Sequence, residues 1–209
     1  MNETIMIVDD SPYIVDGLAA LLKRKEYRPV IAHDGDECLR ELERLLPDLI
    51  LLDIMMEPKD GWETLEEIRS NPKTKEIPVL MFSAKKISPE EAAEHSMCID
   101  DFVPKPINPG QLLDAIGRVF SRQREMEEEL RRAGEAGLDA ALMDEYRALR
   151  RSVDVDIRML AVLKAHTGMD NPGKEVPEED RAAIGRLEEK VAADTERLRS
   201  IRTRFETVT

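Results

Sequence analysis

Five side chains able to handle a divalent cation and a phosphoryl group stand at the ends of short apolar runs in this chain. Ile5-Met6-Ile7-Val8 runs into Asp9 and Asp10, Leu49-Ile50-Leu51-Leu52 into Asp53, Pro78-Val79-Leu80-Met81-Phe82 into Ser83, and Phe102-Val103-Pro104 into Lys105. Three carboxylates supply the hard oxygen ligands that Mg²⁺ takes. They would repel one another without a cation, which favours binding one. The hydroxyl and the ammonium are donors for phosphoryl oxygens. One acid at a strand end has an ordinary explanation, since Asp10 or Ser11 suits a helix N-cap. Capping does not explain four strand ends delivering polar groups together. In an open parallel sheet the carboxyl ends of the strands share one edge, and ligands bind there.

The elements that must position these groups are legible as alternating patterns over the first 120 residues. Strands are expected at 4–8, 29–32, 49–52, 78–83 and 102–103. Helical faces are expected from Ile14, Leu18, Leu21 and Leu22; from Cys38, Leu39, Leu42, Leu45 and Leu46; from Trp62, Leu65 and Ile68; and from Leu112, Leu113, Ile116 and Val119. Ser11-Pro12 and Ser88-Pro89-Glu90-Glu91 read as helix starts, with serine as N-cap and proline in the first turn. Five strands alternating with five helices predict an α/β domain with a doubly wound, five-stranded parallel sheet. The wholly apolar run 49–52 predicts a strand buried on both faces.

After about residue 120 strand signals vanish. Residues 121–167 are rich in Glu, Arg, Ala and Leu, and a break follows at Gly168-Met169-Asp170-Asn171-Pro172-Gly173. Pro177-Glu178-Glu179-Asp180 reads as a second helix start with acids at the positive end of its dipole. Leu142, Tyr146, Leu149, Val153, Leu160 and Leu163 follow a heptad rhythm interrupted by Asp156. Ile184, Leu187, Val191, Leu198, Ile201 and Phe205 do the same, interrupted by Asp194. Two amphipathic arms around a loop predict an all-α antiparallel hairpin, with a hinge toward the sheet domain at Gly134 and Gly137. The expected domains are therefore 1–120 and 121–209. A lone hairpin covers only part of its two stripes, so a homodimer through residues 138–206 is expected to bury the rest.

Composition narrows the function classes. The net charge is −13, and both parts of the chain are acidic, so sequence-independent attraction to nucleic acid is not expected. No apolar run is long enough to span a bilayer, and residues 1–4 lack the marks of a signal peptide. Only Cys38 and Cys98 occur, without a metal-ligand pattern. A cytoplasmic protein with reduced thiols and no membrane partner is expected.

Residues 1–120 resemble the receiver domain of two-component response regulators. The resemblance rests on Val8-Asp9-Asp10-Ser11, Asp53-Ile54-Met55-Met56 followed by Asp60-Gly61, Ser83-Ala84, and Asp101-Phe102-Val103-Pro104-Lys105-Pro106, in the family's order. It implies a flavodoxin-like fold and a site in which Asp53 accepts a phosphoryl group from a sensor histidine kinase or a phosphotransfer protein. Mg²⁺ would be held by Asp10 and Asp53, by Asp9 directly or through water, and by the backbone carbonyl of Met55. Ser83 and Lys105 would contact the phosphoryl oxygens, a cis peptide before Pro106 would aim Lys105 inward, and Phe102 would be the aromatic switch. Such a protein is a signalling phosphoacceptor rather than an enzyme. Three departures stand out: Glu57 where the family commonly has proline, Ser83 for the commoner threonine, and Cys98-Ile99 where a glycine is usual. Met55 and Lys85 occupy positions where the family tunes the lifetime of the phosphoryl group.

The helical extension shows no helix-turn-helix, cyclase or methylesterase motif. Protein–protein contact or dimerisation is its expected output. The alternatives are a phosphotransfer or catalytic module, with His166 as its one candidate nucleophile, or an unrecognised DNA-binding helix pair. A helix-end role suits His166 better, because a basic side chain complements the negative end of the dipole there.

Overall fold

The structure, a computed structural model, describes residues 3–84, 98–135, 137, 139–169 and 176–208, with backbone alone at 166 and 205–208. The expected helix start at Ser88-Pro89, together with Lys85 and His95, lies outside the described residues. The chain divides into two compact units, one holding the described residues up to 84 and from 98 to 117, the other those from 118 onward.

The first unit is a five-stranded sheet. Its strands are β1 (Thr4–Val8), β2 (Arg28–Ala32), β3 (Leu49–Asp53), β4 (Val79–Ser83) and β5 (Asp101–Pro104). All neighbours are parallel, in the order β2-β1-β3-β4-β5. This is the flavodoxin-like winding, in which the crevice between β1 and β3 marks where the strand order reverses. Every residue of β3 and β4 is buried, as their unbroken apolar runs require.

The helices of this unit are α1 (Pro12–Arg24), α2 (Gly35–Leu42), α3 (Gly61–Ser70) and the start of α4 (Pro109–Glu135). Ser11 stands at the N-cap of α1 with Pro12 next, but its side chain makes no capping bond. The buried face of α1 is Val15, Leu18, Ala19 and Leu22, whereas Ile14 and Leu21 of the expected face are only half-buried. The small Ala19 lies inside the contact, a position that apolar bulk alone does not reveal. Helix α2 stops at Leu42, so Leu45 and Leu46 of its expected face fall beyond it and Leu46 is exposed. Pro47 disfavours a helical conformation at Leu46. The start of α2 is fixed by Asp34, whose carboxylate accepts the Glu37 N–H at 2.6 Å, while Glu37 accepts the backbone N–H of His33 at 2.6 Å. Trp62, Leu65 and Ile68 are buried on α3 as their spacing predicts. Arg69, in the last turn of α3, donates to the carbonyls of Lys75, Ile77 and Cys98 and to the Asp100 carboxylate, which ties the entries of β4 and β5 to the helix.

The change of texture near residue 120 is not a break in the backbone, because α4 continues to Glu135. Gly134 and Gly137 mark its end instead, with Gly137 at φ 78°, a conformation suited to glycine. Helices α5 (Ala140–Thr167) and α6 (Glu178–Val208) follow. Asp139 caps α5, and Gly168 closes it in the left-handed conformation.

Among the described residues the second unit is therefore three helices rather than two alone. Lys164 pairs with Glu188, Asp156 with Lys190 and Glu145 with Arg197, so α5 and α6 form the expected antiparallel hairpin. The later turns of α4 run antiparallel to α5 as well. The Tyr146 hydroxyl donates to Glu129 at 2.6 Å, and Arg150 pairs with Glu125 at 3.8 Å. Tyr146, Val153, Leu160, Leu163, Ile184, Leu187 and Ile201 of the two stripes are buried within the single chain, joined by Val155 and Met159.

Candidate functional site

The ladder registers explain how residues distant in sequence meet. Val8 pairs with Leu52, so Asp9 and Asp53 leave adjacent strands at the same level. Asp53 pairs with Phe82, and Ser83 with Pro104, which brings Ser83 and Lys105 to the same edge. The Lys105 N–H donates to the Ser83 carbonyl at 2.7 Å.

Asp9 and Asp53 are almost wholly buried and Asp10 is exposed, yet each of the three places a carboxylate oxygen within 4.8 Å of the others. The Lys105 ammonium donates to Asp9 Oδ2 at 2.8 Å and to Asp53 Oδ2 at 2.7 Å, and lies 4.9 Å from the centre of the Phe82 ring. Backbone amides hold the other oxygens. Ser11 N–H donates to Asp9 Oδ1 at 2.8 Å, and Met55 N–H to Asp53 Oδ1 at 3.3 Å. Burial pushes the Asp53 carboxyl above its ordinary range. Lys105 pulls it down through a hydrogen bond and its charge, while the charge of Asp9 pushes it up, and the net shift is upward. Burial opposes the Lys105 ammonium, but its bonds to Asp53 and Asp9 outweigh that, and its pKa is raised. One cation facing two buried carboxylates leaves the site with excess negative charge. Hard oxygen donors with that excess suit a divalent cation, so the residues present fit Mg²⁺.

Of the residues singled out from sequence, Asp9, Asp10, Asp53, Ser83 and Lys105 gather at this edge. Met55, two residues past Asp53, has an exposed side chain, and its backbone N–H is the group that meets the site, at Asp53 Oδ1. Phe102 is half-buried on β5, paired in the ladder with Met81. The Lys105–Pro106 and Glu57–Pro58 peptides are both cis. His33 is exposed and belongs to the start of α2, and His166 lies in α5.

Sequence reasoning named Gly61 only as part of a motif. The structure shows its task. A side-chain carbon there would lie 2.1 Å from the Asp53 carbonyl oxygen, so only glycine lets α3 start against the backbone of β3. Gly61 N–H also donates to the Ile54 carbonyl at 2.9 Å, closing the loop that begins at Asp53. Asp60 and Glu63 form a reciprocal capping box on the same turn.

Fold and site together define a flavodoxin-like α/β domain with an acidic pocket at the β1/β3 crevice. Residues 5–117 match the family model described as "Response regulator receiver domain", and residues 122–209 match "Metanogen output domain 2". The chain belongs to the response regulator receiver family. It is 33% identical over 124 residues to the response regulator GtcR of Aneurinibacillus migulanus, covering 59% of this chain and 49% of that one. It is 54% identical to the N-terminal domain of a response regulator receiver protein from Methanoculleus marisnigri JR1, covering 56% of this chain and 95% of that one at a TM-score of 0.49. The chemotaxis protein CheY4 of Vibrio cholerae is 29% identical, covering 57% of this chain and 99% of that one at a TM-score of 0.54. The chain spans about half the length of the curated relatives it matches. Receiver-domain response regulators are signalling proteins not generally classed as enzymes, and receiver domains generally use Mg²⁺ at an acidic pocket and meet histidine kinases or phosphotransfer proteins. No described helix is long and apolar enough to cross a membrane.

Proposed function

We propose that the first unit accepts a phosphoryl group on Asp53 from a phosphohistidine. The Lys105 ammonium bridging Asp9 and Asp53, beside Asp10, carries this reading, because it sets a nucleophile, a cation-binding pair and a fixed positive charge on one edge. An oxygen of Asp53 attacks phosphorus, the P–N bond to the donor imidazole breaks, and the electron pair stays on that nitrogen; with a proton on the donor's other ring nitrogen, the products are an aspartyl phosphate and a neutral histidine. Asp9, Asp10, Asp53 and the Met55 carbonyl would hold Mg²⁺, which when bound neutralises charge on the transferring group. Lys105 turns from the carboxylates to a phosphoryl oxygen, and the Ser83 hydroxyl donates to another. Phe102 responds through packing alone, since it lacks the hydroxyl of a tyrosine.

The second unit serves as output through protein–protein contact, with either a partner protein or a second copy through 138–206, and without nucleic acid. Its acidic balance and its match to an output-domain model support this. The test of the phosphosite is labelling by acetyl phosphate with Mg²⁺. Wild type is expected to take up one phosphoryl group and Asp53→Asn none; undiminished labelling of Asp53→Asn would reject the assignment.

A further inference from the structure

The loop from Ile54 to Asp60 carries Met55 past the acidic site, and it departs from the family pattern at Glu57. Its two ends are fixed. Ile54 N–H donates to the Phe82 carbonyl at 3.1 Å, and Gly61 sits against the Asp53 backbone. Besides the Asp60–Glu63 capping box, Lys59 ties the loop through its side chain. Its ammonium pairs with Asp36 in the first turn of α2 at 2.9 Å and with Glu67 on α3. Its stem lies over Gly35, where a side-chain carbon would come within 3.2 Å of Lys59 Cδ. Gly35 is in turn pressed against α3, where that carbon would lie 2.2 Å from Thr64 Oγ1, so glycine at 35 lets α2 approach α3 beside the lysine stem. One side chain thus joins the loop, the start of α2 and the middle of α3.

We propose that Lys59 is a positioning residue of the metal site: by tying this loop to α2 and α3 it fixes the backbone that presents the Met55 carbonyl to the cation. The inference rests on the Mg²⁺ reading above and deepens it. Partners of a ligand-bearing segment set the geometry of the ligand, and their loss weakens metal binding without touching the metal. The sign of the effect separates positioning from plain electrostatics. Removing a positive charge near a cation site strengthens cation binding by Coulomb's law. Loss of the tie weakens it, because the loop must be ordered when the cation binds.

The experiment is calorimetric titration of the full chain with Mg²⁺, paired with its melting temperature. Lys59→Met keeps the stem and removes the charge. Its affinity is expected to fall about fivefold, the size of one partly exposed ion-pair network, with little change in melting temperature. Lys59→Arg, which can still bridge both carboxylates, is expected to stay within about twofold of wild type. Lys73→Met, on an exposed lysine outside the network, controls for the loss of one charge and is expected to leave affinity unchanged. Unchanged or tighter binding in Lys59→Met overturns the proposal while leaving the metal site standing, provided Asp10→Ala weakens binding. If wild type takes no Mg²⁺, or Asp10→Ala binds as well as wild type, the metal-site reading fails and the positioning role falls with it. Should Lys59→Met not fold, Lys59→Gln is read in its place against the same outcomes.

Discussion

Replacing Lys190 by Met leaves a carboxylate stranded between α5 and α6. Asp156 is fully buried, its Oδ2 accepts from Lys190 and from Ser152 Oγ at 3.0 Å, and its Oδ1 has no hydrogen-bond partner among the described residues. Lys190 also donates to Ser152 at 2.9 Å and lies 3.7 Å from Asp194. Its side chain keeps about a quarter of its exposure, so this pair stands between the surface case, worth under ~1 kcal/mol, and the buried case, where removing one partner costs about 3–5 kcal/mol. Lys190→Met is therefore expected to cost about 2–3 kcal/mol, or a factor of about 30 to 150 in the opening equilibrium. Because the chain has two units, one global melting curve mixes their transitions. Amide hydrogen exchange of α5 and α6 peptides reads the bundle directly, and the acceleration should appear there and not in β3 or β4. Asp156→Leu combined with Lys190→Met should recover most of the loss, because a buried pair replaced by apolar groups of similar volume is often neutral. Refutation is simple: exchange in α5 and α6 unchanged by Lys190→Met, or a double variant no better than the single, would show that the pair is solvated and indifferent.

Gly61→Ala forces a carbon to within van der Waals distance of the Asp53 carbonyl, so the start of α3 or the end of β3 must shift; a loss of about 1–3 kcal/mol and reduced acetyl phosphate labelling are expected, measured by urea denaturation and by the labelling assay. Cys38 is buried against Met6 and its thiol is pushed up to about 12 by burial, so at pH 8 a thiolate-seeking reagent should modify Cys98 alone in the folded chain and both thiols only after denaturation. The same shift has a sign for stability: the unfolded thiol ionises near 9.0 and the folded one near 12, so stability is held below pH 9 and falls as pH rises between the two. Seven residues of the stripes that suggested a homodimer are buried within one chain, whereas Leu142, Leu149, Val191 and Leu198 stay half-buried and Ile157 on α5 is exposed. A dimer through 138–206 is expected to cover these remaining apolar groups; light scattering that finds a monomer at micromolar concentration, phosphorylated or not, would assign the output to a foreign partner.

The sequence by itself determined the sheet and the roster of its edge. Apolar runs of strand length ended by acids, Ser83 and Lys105 are local patterns, and a parallel sheet converts local strand ends into one shared edge whatever the details of the helices between. The all-α nature of the second unit was equally local, carried by heptads and a Gly-Pro break. What only tertiary structure decided depends on contacts between elements far apart in sequence. The face of α1 was rotated by Ala19, too small to register in a pattern of large apolar residues. The third helix of the bundle was hidden because α4 carries one continuous backbone from the sheet unit into the bundle, and a helix leaves no mark in sequence where it changes neighbours. Asp156 and Asp194 were visible as interruptions, but Lys190, which satisfies Asp156 from the opposite helix, was not, since a single lysine on an amphipathic helix looks like any solvated one. Gly61 and Lys59 belong to the same class: one is defined by a carbonyl 2.1 Å from where its side chain would begin, the other by two carboxylates on different helices. Pattern reports which faces want burial, whereas only the packed chain reports which charge meets which and where no side chain fits.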